Sequence, residues 1–235
     1  MADYDLYYWP VPFRGHFVRA ILAYAGKTWT EHDADAIDDL MLAPPQEQPV
    51  PFKGPPVLID KASGFALSQM PAIAAYLGVK LALMPKSTEL GALTHKVVND
   101  ANDVIDEITL DGGRQMWTRK RWGAFLPRLR HWMAIWEATG ERHGLRPDSG
   151  FLLGTAEAGV ADIVTWALWS TLADRFAPIG TLLDEAAPCT ARLTGRMQQT
   201  PALITLSKRT FKQYGQAYCG GDIEASLREV LGVGP

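Results

Sequence analysis

Residues 5–16 read DLYYWPVPFRGH and set two phenols side by side, Tyr7 and Tyr8, followed by Trp9, Arg14 and His16. A phenol O–H aimed at a thiol sulfur stabilises thiolate over thiol, which matters because a free thiol has a pKa of about 8.5. Successive strand side chains face opposite ways, so only one of the two tyrosines can point into a given site. Both are equally at home as packing aromatics of a sheet. Arg14 can hold a carboxylate or act electrostatically, or be a solvated surface arginine.

A second stretch, GPPVLID at 54–60, puts two prolines directly before an apolar run. Proline has no N–H and is tolerated in sheets only at edges, first positions or bulges. If the bond before Pro56 is cis, the chain turns sharply into its strand. The main chain of Val57 is then expected to face a cleft, where a peptide-like ligand can add as a short strand. A third stretch, LSQMPAIAAYLG at 67–78, starts a helix at Gln69 and Met70. A helix N-terminus is a good place for an anion.

Other residues carry less. His16, His32, His95, His131 and His143 show no metal-ligand spacing, and no metal is expected. Cys189 and Cys219 fall in the second half, read as distant from the first strand. RQMWTRKRWGAFLPRLRHW interleaves basic and aromatic residues, but its Trp and Leu follow one helical stripe, so the charges read as a solvated face.

The elements that must position these groups divide in two. DLYYW (5–9) and TWTEHDA (28–34) read as strands, flanking a helix whose stripe is Phe17, Val18, Ile21, Leu22 and Ala25. Gly26 closes that helix as a C′ residue. Arg19 falls off the stripe and reads as structural. AIDDLML is a short helix and APPQEQPVPFKG a loop. VLID (57–60) and FALS (65–68) pair as a hairpin around KASG, and the helix with Pro71 in its first turn follows. The order is β-α-β-(α)-β-β-α. After Gly78 the character changes. Leu90, Leu93, Val97, Ala101, Val104 and Ile108 mark a long helix, Leu126 to Trp136 another, and Val160 to Leu172 a third. Further helices are read at 190–199 and 202–213. The expected fold class is α/β plus all-α: a domain over 1–80 with a mixed four-stranded sheet, a linker over 81–90, and a helical bundle over 91–235.

The 235 residues include 23 Lys+Arg against 26 Asp+Glu, a net charge of −3, which gives no reason to expect nucleic acid or an anionic membrane. Two cysteines make no disulfide framework and fit a reducing, cytoplasmic setting. MADYDLYYWP lacks the basic region of a signal peptide, and no apolar run reaches membrane-spanning length.

Taken together, DLYYWPVPFRG, GPPVLID, LSQMPAIAAYLG and GTAEAGVADIVTWALW, in that order over nearly the whole chain, resemble the cytosolic glutathione transferases, of the tyrosine type. The resemblance implies a thioredoxin-like first domain and a helical second one. It implies glutathione as co-substrate, a small hydrophobic electrophile, a homodimer, and conjugation of the thiolate to the electrophile. Trp117 or Trp122 could wall the electrophile pocket. It implies a cis bond before Pro56, with Val57 contacting glutathione. Tyr8, directly before an aromatic, takes the catalytic position ahead of Tyr7, with Arg14 beside it. Trp9 and Lys53 fall in the glutathione region. Gln69 and the Met70 N–H take the γ-glutamyl carboxylate, and Met70 departs from the family's Ser or Thr. Asp103, or Asp100, on the long helix would reach the partner subunit's ligand. Gly159 to Asp162 resembles the family's capping box, with Gly in place of Ser or Thr. The same scaffold also suits a non-catalytic binder of glutathione or hydrophobic ligands, or a glutathione-dependent isomerase or ether-cleaving enzyme.

Overall fold

A computed structural model describes residues 1–234. Strands β1 (Tyr4–Tyr7), β2 (Trp29–His32), β3 (Val57–Asp60) and β4 (Ala66–Ser68) form one sheet in the order β2-β1-β3-β4. The β1–β2 pair is parallel; β1–β3 and β3–β4 are antiparallel. This is the mixed four-stranded sheet the sequence predicts. Helices α1 (Phe13–Tyr24), α2 (Ala34–Leu42) and α3 (Met70–Lys80) belong to the same unit. Tyr4, Leu6 and Tyr8 alternate inward, and Phe17, Val18, Ile21 and Leu22 of α1 meet them in the core. Gly26 ends α1 with φ 66°, a conformation that only glycine adopts freely.

The rest is helical: α4 (Thr88–Ile108), the one-turn α5 (Leu110–Gly113), α6 (Arg119–Arg142), α7 (Val160–Arg175), α8 (Ala177–Ala186), α9 (Pro188–Gln198), α10 (Pro201–Tyr214) and α11 (Gly221–Leu231). The sequence reading lacked α5, α8 and α11. α7 is buried almost all round and packs against α1, α4, α8 and α9, so it is the common core of both halves.

Two buried carboxylates organise this helical part. Asp162 accepts the N–H groups of Leu152 (2.7 Å) and Gly159 (2.9 Å). Its carboxyl is raised by burial, with those N–H groups pulling the other way. A Cβ on Gly159 would lie 2.7 Å from the Leu83 carbonyl, which also accepts the Val160 N–H at 3.0 Å. That approach explains why glycine stands where a Ser or Thr cap is expected. Glu137 of α6 reaches across to cap α9, accepting from the N–H of Cys189 (2.8 Å) and the N–H and hydroxyl of Thr190 (both 2.9 Å). Cys189 is a free thiol pushed up to about 11 by burial and by Glu137, so it stays protonated.

Candidate functional site

Sheet register assembles the site. Tyr7 faces Val57 across β1–β3, and Val57 faces Ser68 across β3–β4. Tyr8, Pro56 and Gln69 are the residues next in the chain to this last rung, at the end of the sheet. Three residues drawn from three separate stretches of sequence are thereby brought together.

Tyr8 is buried, 3% exposed, and its ring packs so closely on Gly15 that any Cβ there would overlap it. The Arg14 N–H donates to the Tyr8 hydroxyl oxygen at 3.0 Å. That leaves the hydroxyl proton as the group's remaining hydrogen-bond function. Burial raises the phenol above its ordinary range, opposed by the Arg14 charge and N–H and by Arg19. Tyr8 is therefore a neutral donor at physiological pH. Tyr7 turns to the other face and stacks on His32 with centroids 4.0 Å apart, which removes it from the site. Trp9 continues the chain, partly buried against the core.

The loop after Tyr8 is held from two sides. Arg14 donates to Asn102 (3.3 Å) and pairs with Asp106 (3.2 Å), tying the loop to α4. Arg19, 2% exposed, bonds the carbonyls of Val11 (2.9 Å) and Pro12 (3.3 Å) and pairs with Glu31 at 2.7 Å. It is structural, as expected, but buried rather than on an open face. His16 is buried beside Trp166 and pushed down to about 3 by burial and by Arg19 and Arg175, so it is neutral.

The Pro55–Pro56 bond is cis. The expectation for Val57 is corrected. β3 is an interior strand and Val57 is fully buried. Its N–H and C=O address β1. The alternation of an antiparallel ladder requires this, since Lys61 N–H bonds Asp3 on the β1 side (3.1 Å) and Asp60 N–H bonds Phe65 on the β4 side (2.9 Å). The Val57 main chain is thus committed inside the sheet. The groups left open are the carbonyls of Pro55 and Pro56, which accept no backbone hydrogen bond among the described residues.

Gln69 has φ 73° and ψ 118°, a conformation that costs a non-glycine residue roughly 1–3 kcal/mol. It is exposed and caps nothing with its side chain. The first-turn N–H groups of Met70 and Ala72 have no protein acceptor among the described residues. Met70 is 1% exposed, so its thioether packs in the core and only its N–H is open to the site. Burial of that position explains why an apolar residue is accepted there.

Lys53 is exposed, in the loop before the prolines, and has no ion-pair partner among the described residues. Asp103 is exposed on α4, its carboxyl raised first by desolvation and then by Asp100, Glu107 and Asp106. Asp100 pairs with Lys96, which leaves Asp103 the free one of the two. Trp117 is buried, donates to the Ile108 carbonyl (2.9 Å) and clusters with Trp122 and Phe125, a core role rather than a pocket wall.

The sequence reading missed Tyr218. Its carbonyl accepts the Phe13 N–H (3.2 Å) and its ring meets Phe13 edge-on at 5.5 Å, so the C-terminal segment lies over the Tyr8 loop. The neighbouring Cys219 is therefore near that loop and not distant from it, with its thiol pushed up to about 12 by burial and Glu224. Nothing in the local pattern QAYCGG signals this return. Glu137, Glu141 and Cys189 are close enough together to consider a metal, but the Glu137 carboxylate is already filled by three donors.

Residues 93–230 match the family model described as Glutathione S-transferase, C-terminal domain. The chain belongs to the glutathione S-transferase family. Among solved structures it is similar to NaGST-2 (23% identity, 88% of this chain and 97% of that one, TM-score 0.71). It is also similar to monomeric Na-GST-3 from the human hookworm Necator americanus (20% identity, the same coverage, TM-score 0.70). These likenesses carry the fold, a thioredoxin-like N-terminal domain with a helical C-terminal one. No curated protein matches the sequence. No helix among the described residues is long and apolar enough to cross a membrane.

Proposed function

We propose that the chain is a glutathione transferase that joins the glutathione thiolate to a small hydrophobic electrophile. The observation that carries this reading is the row Tyr8–Pro56–Gln69 at the end of the sheet. In it a neutral phenol donor, open proline carbonyls and an uncapped helix start lie within one ligand's reach. Residues 1–80 bind glutathione, 81–90 link, and 91–235 supply the electrophile side. The γ-glutamyl carboxylate sits at the α3 N-terminus on the N–H of Met70, with Gln69 held in its strained conformation to meet it. Lys53 and Trp9 flank the ligand. The thiol loses its proton to solvent and the sulfur anion accepts the Tyr8 O–H. That donor stays protonated because burial holds the phenol above its ordinary range. The thiolate then attacks, the C–S bond forms, and the leaving group departs with its electron pair. Arg14 keeps the Tyr8 loop in place through α4 and adds a positive field. Positioning and thiolate stabilisation are the protein's whole contribution.

A homodimer in which Asp103 reaches the partner's ligand completes this reading. Na-GST-3 is described as monomeric, so sedimentation belongs with the kinetic tests. The location is read as cytoplasmic. A non-catalytic glutathione binder is the second reading, favoured by the depth of Tyr8.

Retention on immobilised glutathione, an ultraviolet thiolate band on binding, and turnover of an aryl halide test the proposal together. Tyr8→Phe should keep retention and lower turnover about 10- to 100-fold, the loss expected for one hydrogen bond to a charged group. Retention without a thiolate band, or unchanged turnover in Tyr8→Phe, would favour the binder. No retention would remove both readings.

A further inference from the structure

The Tyr8 hydroxyl oxygen accepts from the Arg14 N–H, and what aims that N–H lies at the other end of the chain. Arg14 follows Phe13, whose φ of 28° is a conformation that a bulky side chain seldom adopts. Such a conformation persists only where its surroundings hold it. Here the Phe13 N–H donates to the Tyr218 carbonyl at 3.2 Å, and the two rings meet edge-on. The Tyr218 ring is backed in turn by Phe176, with centroids 5.5 Å apart.

The Tyr218 segment is anchored by one carboxylate. Glu224, buried in the first turn of α11, accepts on a single oxygen the N–H groups of Tyr218 (2.9 Å), Cys219 (2.9 Å) and Gly220 (2.6 Å). Its other oxygen takes Nε and Nη2 of the buried Arg228, at 2.9 and 2.7 Å. Arg228 also donates to the carbonyls of Gln216 and Gly234, so the pair gathers the segment before α11 and the end of the chain around itself. A continuous run of hydrogen bonds and one strained residue therefore leads from Glu224, through the Tyr218 main chain and Phe13, to the Arg14 N–H and the Tyr8 oxygen.

We propose that Glu224 is a positioning residue for Tyr8. Its carboxylate, held by Arg228, sets the Tyr218 carbonyl, which keeps Phe13 at positive φ and aims the Arg14 N–H at the phenol. That N–H occupies the acceptor side of the hydroxyl and turns its proton toward the thiol sulfur. The inference deepens the transferase reading above and rests on it for what Tyr8 does.

The test follows the ultraviolet thiolate band of bound glutathione against pH. Fluorine spectra of fluorotyrosine-labelled protein give a second reading that needs no ligand, with Tyr8→Phe identifying the Tyr8 resonance. Glu224→Gln should move that resonance and raise the apparent thiol pKa by about 0.5–1 unit, the worth of about one hydrogen bond. It should lower kcat at neutral pH about 3- to 10-fold and leave KM for glutathione within about twofold, since the α3 start is untouched. In a Tyr8→Phe background the same substitution should add no further shift of the thiol pKa. Ser226→Ala removes the acceptor of the Trp117 N–H (3.0 Å) from the same helix. It should lower the thermal midpoint while leaving the band and the Tyr8 resonance in place. Arg228→Lys keeps the charge but loses the fork, and should give a smaller shift of the same sign. It carries the test if Glu224→Gln does not fold. A wild-type chain with no thiolate band would end the transferase reading, and the Tyr8 resonance would then decide this proposal alone. An unmoved Tyr8 resonance in the Glu224 and Arg228 variants would overturn it. So would an equal shift in Ser226→Ala, or an equal shift in the thiol pKa without the Tyr8 hydroxyl.

Discussion

Two helix starts in this molecule are built in opposite ways. At α7 most of the early donors have an owner: Asp162 takes Gly159, as well as Leu152 from the preceding loop, the Leu83 carbonyl takes Val160, and the Gly159 carbonyl takes Asp162 and Ile163. At α3 the preceding residue is strained at φ 73°, its side chain caps nothing, and the N–H groups of Met70 and Ala72 have no protein acceptor among the described residues. The α7 start is largely buried, where an unmet donor is costly, whereas Gln69 and Ala72 at the α3 start are exposed. The difference separates what holds the fold from what is kept open for a ligand.

The largest effect should come from breaking the closed start. Asp162→Ala leaves two N–H groups unmet and should cost about 2–6 kcal/mol, at about 1–3 for each. Urea unfolding would read this, and glutathione affinity of the folded fraction should not move. The Tyr8 side of the site is next. Gly15→Ala forces a methyl into the Tyr8 ring and should lower turnover about 10- to 100-fold while the hydroxyl remains in the chain. Full activity in that variant would mean that Tyr8's placement does not matter.

Acid should act through His16, which joins the two halves at α1 and α7. Burial holds it at about 3, below its ordinary 6.5, so the unfolded chain takes up the proton first. The stability tied to the neutral ring is complete above about 6.5 and is lost as pH falls toward about 3, by up to ~1.4 kcal/mol per pH unit. His16→Gln should flatten that slope in a pH series of thermal midpoints. Last, Gln69→Gly relieves the strained conformation and should raise stability by about 1 kcal/mol while weakening glutathione retention. Gain without loss of retention would show the strain to be incidental.

Much of this comparison was legible in residues alone. Period-two and period-3.6 patterns gave the strands and the main helices, and the hairpin KASG turn placed β3 beside β4. Tyr8 was separable from Tyr7 because strand alternation is local. Val57 was misread because its availability depends on β1 lying on β3's other side, a pairing set by residues about fifty positions apart. The partners of Arg14 on α4 and the return of Tyr218 over Phe13 are likewise long-range, and no spacing encodes them. Met70 looked like a defect in a binding motif. Its near-complete burial shows a side chain selected by the core, with the main chain left to do the recognition.

The Leu83 carbonyl ties the end of α3 to the start of α7. It accepts from Val160 and presses on Gly159, while the N–H groups of Leu83 and Met84 both return to Gly78. The segment from Gly78 to Met84 is therefore held both to the end of α3 and to the start of α7. Chimeras that exchange the helical half with a relative must cross over without adding or deleting a residue between Gly78 and Leu83. A single insertion there would shift the carbonyl off its helix and unseat the graft.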